Sequence, residues 1–75
     1  MHVLACYDVV ADSRRARVFR VLEGSLRHVQ KSVFEGQLAA GRLSALVAAL
    51  EAELDPSTDT LRVYLLCRGC AQAIV

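Results

Sequence analysis

The first residue whose position suggests chemistry is Asp8, a carboxylate that ends an otherwise apolar segment, HVLACYD. A charge at such a place is costly unless it is solvated, hydrogen-bonded or bound to a cation. Magnesium usually takes one or two protein carboxylates and completes its octahedron with water and phosphate oxygens. One carboxylate per chain makes a poor site, but a two-fold axis near Asp8 would double the ligands. The alternative is a turn residue that caps nearby backbone N–H groups.

Arg15 is the second candidate, because helix geometry separates it from the arginines around it. At about 100° per residue, it falls within the apolar arc of the predicted first helix. The other arginines fan out along the polar face: Arg14, Arg17 and Arg20. Arg15 also belongs to the first turn, near the end of the strand that carries Asp8. Its guanidinium therefore needs an anionic partner, either Asp8 in a structural ion pair or a bound phosphate.

The cysteines and histidines give weaker signals. A closed zinc site needs four ligands, and the pair Cys67-x-x-Cys70 has no second pair to complete it. A thioredoxin-like pair starts a helix, whereas this one follows a predicted strand. We therefore expect Cys6, Cys67 and Cys70 to be free thiols that behave as small hydrophobic residues. His2 and His28 lie at no helical ligand spacing from another histidine or cysteine.

Charge is distributed unevenly, although the formal net charge is only +1. Residues 13–31 contain six basic side chains and one acidic one, Glu23. Acidic residues outnumber basic ones from Ser32 onward. This asymmetry fits a surface that faces phosphates, and a solubilising helix face fits it equally well.

Length and composition limit the architecture. A chain of 75 residues forms one domain, 1–75, with a marginal core, yet 55% of its residues are hydrophobic. Part of this apolar surface should form a subunit interface, so we expect a homodimer. No apolar run spans a bilayer and the N-terminus lacks signal-peptide features, which predicts a cytoplasmic protein without a membrane partner.

The elements that must position these residues follow from hydrophobic periodicity. Residues 2–8 form a strand with both faces buried, and Asp12 or Ser13 caps a helix that runs to about Leu26. Residues 28–38 are extended, as one bent strand or as two strands closing near Lys31. The apolar stripe of the first helix contains Ala16, Phe19, Leu22 and Leu26.

The second half of the chain again reads as a helix followed by a strand. A second helix spans roughly Gly41 to Leu54, and Asp55-Pro56 ends it. Residues 55–59 form a turn and residues 61–67 a strand, with 61, 63, 65 and 67 on one side. The remaining residues, CAQAIV, could add a short final strand. The order β-α-β-β-α-β, with helices on one face of an antiparallel sheet, is the α+β ferredoxin-like plan.

Three pieces in order resemble a known family: Tyr7-Asp8 ending the first strand, the arginine-rich first helix, and QKSVFEG at residues 30–36. The chain resembles the small CRISPR-associated adaptation proteins often described as endoribonucleases. The resemblance implies a ferredoxin-like homodimer in which both Asp8 carboxylates approach the two-fold axis and share magnesium, with manganese as the alternative ion. It also implies cleavage of single-stranded RNA or double-stranded DNA, and an integrase partner in spacer acquisition.

The resemblance carries over particular site residues. Asp8 is the implied catalytic and metal-binding residue, and Arg15 and Arg17 are implied phosphate contacts, to which helix position adds Arg14 and Arg20. The residues expected to shape the cleft are Tyr7, Ser32 and Phe34. The chain departs from the family at His28, where relatives commonly have arginine, and after residue 67, where the segment that crosses to the partner is missing or shortened.

Two other function classes stay open. A non-catalytic dimeric scaffold would use the same arginines to hold DNA for the integrase, and Asp8 would only tune its interface. A toxin-like ribonuclease or a small-ligand regulatory domain on the same fold forms the third class, since one fold hosts many functions.

Overall fold

The computed structural model describes residues 1–74. Within them the elements follow the order β1 (His2–Asp8), α1 (Asp12–Glu23), β2 (Arg27–Gln30), β3 (Val33–Gln37), α2 (Ala40–Glu53), β4 (Thr60–Leu66) and α3 (Arg68–Gln72). The strands form an antiparallel sheet in the order β2-β3-β1-β4. Helices α1 and α2 cover one face of this sheet, so the ferredoxin-like α+β prediction is confirmed.

Strand β1 lies in the middle of the sheet, but only one of its faces is fully buried. Val3, Ala5 and Tyr7 belong to the core beneath the helices. Leu4 and Cys6 alternate with them and are only half-buried. The prediction of two buried faces is wrong, because the helices cover a single face and β1 therefore retains a second, partly open one.

Helix α1 begins one or two residues earlier than predicted, and its N-cap precedes both expected caps, Asp12 and Ser13. Its N-cap is Ala11, which makes no side-chain cap, and Asp12 is already the first helical residue. Of the predicted stripe, Leu22 and Leu26 are buried and Phe19 packs against the core, whereas Ala16 is exposed. Val18, which was not predicted, is also buried. The helix ends at Glu23, three residues before the predicted end, and the backbone N–H groups of Ser25 and Leu26 both donate to Leu22 O, over 3.0 and 2.8 Å.

The extended segment is a hairpin of two strands, which settles the alternative that the sequence left open. Strands β2 and β3 close around Lys31 and Ser32, with an irregular register between His28 and Gln30. Phe34 of β3 has 0% exposure and occupies the centre of the core.

Helix α2 confirms its prediction to within one residue, and Leu46 and Leu50 are its buried positions. With 14 residues it is the longest helix in the described part of the chain. Among residues 1–74, no helix combines the length and apolar composition needed to cross a bilayer. The turn after α2 begins with Asp55, whose Oδ1 accepts hydrogen bonds from the backbone N–H and hydroxyl of Ser57.

Strand β4 alternates as predicted, with Leu61 and Val63 packed against the core, although Leu65 is 57% exposed. The chain then forms helix α3 rather than a final strand. Cys67 is its N-cap, so the CxxC pair does lie at a helix start, contrary to the prediction. Both cysteines of the pair are exposed, and they are therefore not small hydrophobic core residues. Position 75 of the predicted last strand lies outside the described residues.

Candidate nucleic-acid interface

A cleft of about 670 Å³ opens between α1 and the turn that joins β2 to β3. We call it the α1 cleft. It contains four of the residues singled out in the sequence, together with five that were not assigned to a site. Its lining consists of Tyr7, Asp12, Arg15, Ala16, Phe19, Arg20, Glu23, Lys31 and Ser32.

Arg15 is held at the mouth of the α1 cleft by two contacts. Its Nη1 donates to the backbone carbonyl of Val9 over 2.8 Å, and its Nη2 donates to the carboxylate of Asp12. The side chain is 44% exposed, so part of the guanidinium still faces solvent. Arg15 does have an anionic partner, as expected, but that partner is Asp12 three residues before it and not Asp8.

The floor beneath the cleft is aromatic. Phe19 packs edge-on against Phe34, with ring centroids 5.2 Å apart. The ring of His28 contacts both phenylalanines at 4.9 Å. Phe34 is buried and does not line the cleft directly, but it supports Phe19, which does. The predicted role of Phe34 in shaping the cleft is therefore indirect.

Tyr7 closes the inner wall of the cleft. Its backbone N–H donates to Ser32 O over 3.1 Å, which ties the end of β1 to the hairpin turn. Burial raises the pKa of its phenol, and the nearby charge of Arg15 offsets part of that rise. The hydroxyl is therefore neutral at physiological pH and can donate a hydrogen bond to an anion.

Asp8 lies at the end of β1, opposite Thr60, and is exposed. Side chains alternate along a strand, so Asp8 shares the open sheet face with Leu4 and Cys6 rather than the side of Tyr7. Within residues 1–74, no three histidine, cysteine, aspartate or glutamate side chains cluster closely enough to hold a metal. One protomer thus offers a single exposed carboxylate, which suits an ion that takes its remaining ligands from elsewhere.

Arg14 and Arg17 are placed away from the α1 cleft. The Nε atom of Arg14 donates to Oδ2 of Asp59, in the turn just before β4, over 2.9 Å. Arg17 donates to Glu53 of α2 over 2.7 Å. Arg20 does line the cleft. The structure therefore brings together Arg15 and Arg20 but directs the other two arginines into ion pairs between elements.

Two of the five cleft residues that the sequence did not assign to a site bear on its chemistry, Phe19 and Lys31. Phe19 stands one turn after Arg15, and this spacing places both on the same side of a helix. Lys31 stands next to Ser32 in the hairpin turn and adds a third cation to the cleft. The helix periodicity could have identified Phe19, whereas Lys31 required knowing where the hairpin turns.

The arrangement combines three cations with an aromatic wall, which suits a nucleotide. Arg15, Arg20 and Lys31 can contact phosphate oxygens, and Phe19 offers a surface to a base. Two carboxylates, Asp12 and Glu23, also line the cleft. They limit its net positive charge, and Asp12 is already engaged by Arg15.

Comparison with known proteins finds relatives that match nearly the whole chain. The family model for CRISPR associated protein Cas2 matches residues 1–74. A protein of Haloferax volcanii named CRISPR-associated endoribonuclease Cas2 is 43% identical over 65 residues, which cover 85% of this chain and 72% of that protein.

Solved structures give the same result. The crystal structure of Streptococcus pyogenes Cas2 at pH 6.5 matches with a TM-score of 0.89 and 28% identity, covering 100% of this chain and 96% of that one. A chain of a partial Cas6-RT-Cas1–Cas2 complex matches with a TM-score of 0.80 and 29% identity, covering 99% and 87%. Family model, sequence identity and fold agree across almost the whole length, and this chain belongs to the CRISPR-associated protein Cas2 family.

Proposed function

We propose that this chain is a CRISPR-associated, metal-dependent endoribonuclease that acts as a homodimer on single-stranded RNA during spacer acquisition. The observation that carries the proposal is the α1 cleft, where Tyr7, Arg15 and Ser32 line one nucleotide-sized space with Arg20 and Lys31. A curated relative with 43% identity is named an endoribonuclease. We assign the same activity to this chain.

The roles of the cleft residues follow from their contacts. Arg15 is oriented by Val9 O and Asp12, so its guanidinium is already ordered before a phosphate arrives. Ordering in advance lowers the entropic cost of binding. Arg20 and Lys31 would contact flanking phosphates, and Phe19 would stack on an unpaired base. A base inside a duplex presents no free face for such stacking, which favours a single strand.

The second half of the site would come from a second copy of the chain. Asp8 shares its sheet face with Leu4, and Tyr64 pairs with Leu4 on the neighbouring strand. Tyr64 is 44% exposed, and Glu35 on this face already accepts hydrogen bonds from His2 and Arg27. This face also carries Asp8 and Arg62, but half-buried Leu4 and exposed Tyr64 leave apolar surface on it that burial against another copy would cover. A two-fold axis through it would bring two Asp8 carboxylates together.

Asp8 is the residue that would hold the metal. Magnesium, or manganese in its place, would supply a water of lowered pKa and stabilise charge on the phosphate oxygens. The exposed carboxylate of Asp8 can take part in such a site without any rearrangement of β1. The other residues of this chain would hold the RNA so that one phosphate lies near that position.

The experiment compares wild type, Asp8→Asn and a control, Glu51→Gln, which changes an exposed carboxylate of α2. End-labelled single-stranded RNA and double-stranded DNA are incubated with magnesium, manganese or EDTA. We expect wild type and Glu51→Gln to cleave RNA with either metal and not in EDTA. Asp8→Asn should fall to the level of the EDTA control and should still bind RNA and elute as a dimer.

A contrary result is equally clear. Metal-dependent cleavage by purified Asp8→Asn at the wild-type rate would remove Asp8 from the mechanism. Cleavage of duplex DNA in preference to RNA would overturn the substrate assignment.

A further variant, Leu4→Glu, tests the dimer interface. It should yield monomers by light scattering, and dimers that persist would place the contact between subunits on another surface.

A second candidate function is a non-catalytic scaffold for a CRISPR integrase. The observation that favours it is the similarity to a chain of a Cas6-RT-Cas1–Cas2 complex, in which a Cas2 protein is assembled with Cas1. In this view the arginines of α1 would hold DNA for the integrase. Asp8→Asn would then leave spacer acquisition in cells unchanged, whereas replacing Arg20 by glutamate would reduce it.

A further inference from the structure

Cys67 and Cys70 face each other in the first turn of α3. Cys67 is the N-cap of the helix, and its Sγ accepts a hydrogen bond from the backbone N–H of Cys70 over 3.3 Å. Both side chains are exposed to solvent. The chain's other cysteine, Cys6, is half-buried within β1. The two accessible thiols therefore lie side by side, while Cys6 lies apart from them.

The two thiols differ in acidity. The pKa of the Cys67 thiol is lowered, first by the backbone N–H of Cys70 and then by the Cys70 side chain. The pKa of Cys70 is raised, chiefly by its hydrogen bond with Cys67. Of the two thiols, Cys67 is therefore the one that loses its proton more readily. The thiolate is the form that attacks disulfides, so the chemistry of the pair has a direction.

We propose that Cys67 and Cys70 form a reversible redox-active dithiol, a modification site that reacts with low-molecular-weight disulfides such as oxidised glutathione. The Cys67 thiolate attacks one sulfur of the small disulfide, forming a mixed disulfide and releasing one thiolate. Cys70 then loses its proton and attacks Cys67 Sγ, forming the Cys67–Cys70 bond and releasing the second thiolate. Two protein thiols are oxidised and one small disulfide is reduced to two thiols.

The position of α3 permits this bond without loss of the fold. The helix begins directly after β4, and both cysteines belong to the same turn. Closing a bond between residues three apart constrains only that turn, so the sheet and the other helices keep their contacts. Neither cysteine lines the α1 cleft. Asp8 lies at the far end of β1 from His2, and His2 pairs with Leu66, the residue just before Cys67. The dithiol therefore does not depend on the nuclease proposal.

The test uses the full chain and three variants: Cys67→Ser, Cys70→Ser and, as a control, Cys6→Ser. Each is reduced, exposed to oxidised glutathione at neutral pH, quenched by alkylation and weighed by mass spectrometry. Wild type and Cys6→Ser should gain an internal disulfide. Cys70→Ser should accumulate a glutathione adduct on Cys67, because the second thiol is missing. Cys67→Ser should react several-fold more slowly, and circular dichroism should show that all four proteins are folded.

Alkylation by iodoacetamide supplies a second measurement that needs no oxidant. At neutral pH, Cys67 should be modified several-fold faster than Cys70, and the preference should disappear in urea, where the helix turn is lost. Equal rates at the two cysteines in the folded protein would overturn the assignment of roles. Stable glutathione adducts on both cysteines of wild type, without an internal bond, would overturn the dithiol itself.

Discussion

Arg14 and Asp59 form the ion pair that joins the start of α1 to the turn before β4. The Nε atom of Arg14 donates to Oδ2 of Asp59 over 2.9 Å, and the side chain of Asp59 has 0% exposure. Asp59 also accepts hydrogen bonds from the backbone N–H groups of Val10 and Asp55 and from the hydroxyl of Thr58. One carboxylate thus holds together two loops that are far apart in the chain.

Asp59→Asn should destabilise the protein at neutral pH. The guanidinium of Arg14, followed by the other donors, holds the pKa of the Asp59 carboxyl well below its usual range. A depressed pKa contributes stability that is fully present above the pKa of unfolded aspartate, about 4, and is lost as the pH falls further. We therefore expect a lower Tm for the variant at pH 7 and a difference that shrinks below about pH 4.

Thermal unfolding followed by circular dichroism at several pH values measures this difference. Glu51→Gln is the control, because it also removes one carboxylate but from an exposed position. Equal Tm values at pH 7, or a gap that stays constant down to pH 2, would show that the Arg14–Asp59 pair does not contribute as described.

Phe34→Ala should cost about 3–5 kcal/mol in the free energy of unfolding, the usual range for a fully buried aromatic ring. Phe34 has 0% exposure and supports the rings of Phe19 and His28. Such a loss can exceed the stability of a small domain, so Phe34→Leu provides a milder variant. Urea unfolding gives the values. Val29→Ala, at a 40% exposed position, should change stability by less than about 0.5 kcal/mol, and equal effects would contradict the packing argument.

Arg17 and Glu53 connect α1 to α2 through a partly exposed ion pair. A double-mutant cycle with Arg17→Ala and Glu53→Ala should give a coupling energy below about 1 kcal/mol, as is usual for such pairs. Because Arg17 lies outside the α1 cleft, we expect Arg17→Gln to leave the binding of single-stranded RNA unchanged, measured by fluorescence anisotropy. Weaker binding by Arg17→Gln would extend the RNA interface beyond the cleft.

Arg20→Gln should reduce the salt dependence of RNA binding. Each phosphate contact on a single strand contributes about 0.7 to the slope of log affinity against log salt, so the loss of one contact should lower the slope by about that amount. Arg20 lines the α1 cleft, whereas Arg42 lies on α2 outside it. Arg42→Gln should therefore leave the slope unchanged. Equal slopes for Arg20→Gln and wild type would remove Arg20 from the interface.

The sequence by itself determined the positions of β1, α1, α2 and β4 and the placement of two candidate residues. Periodicities of two and of 3.6 residues are local properties, so they identify β1 and α2 without any knowledge of packing. The same local geometry placed Asp8 at a strand end and Arg15 in the first turn of α1. The family resemblance added function, because it rests on motifs whose order is visible in the sequence.

Tertiary structure decided which side chains meet. Glu53 lies 36 residues from Arg17, and no local pattern predicts that the two pair. The burial of only one face of β1 likewise depends on where both helices pack. The CxxC pair shows the same limit at short range: a strand can lead directly into a helix, and Cys67 became an N-cap only because the chain turns after Leu66. Contacts across the fold arise from the packing of whole elements, which one-dimensional periodicity does not encode.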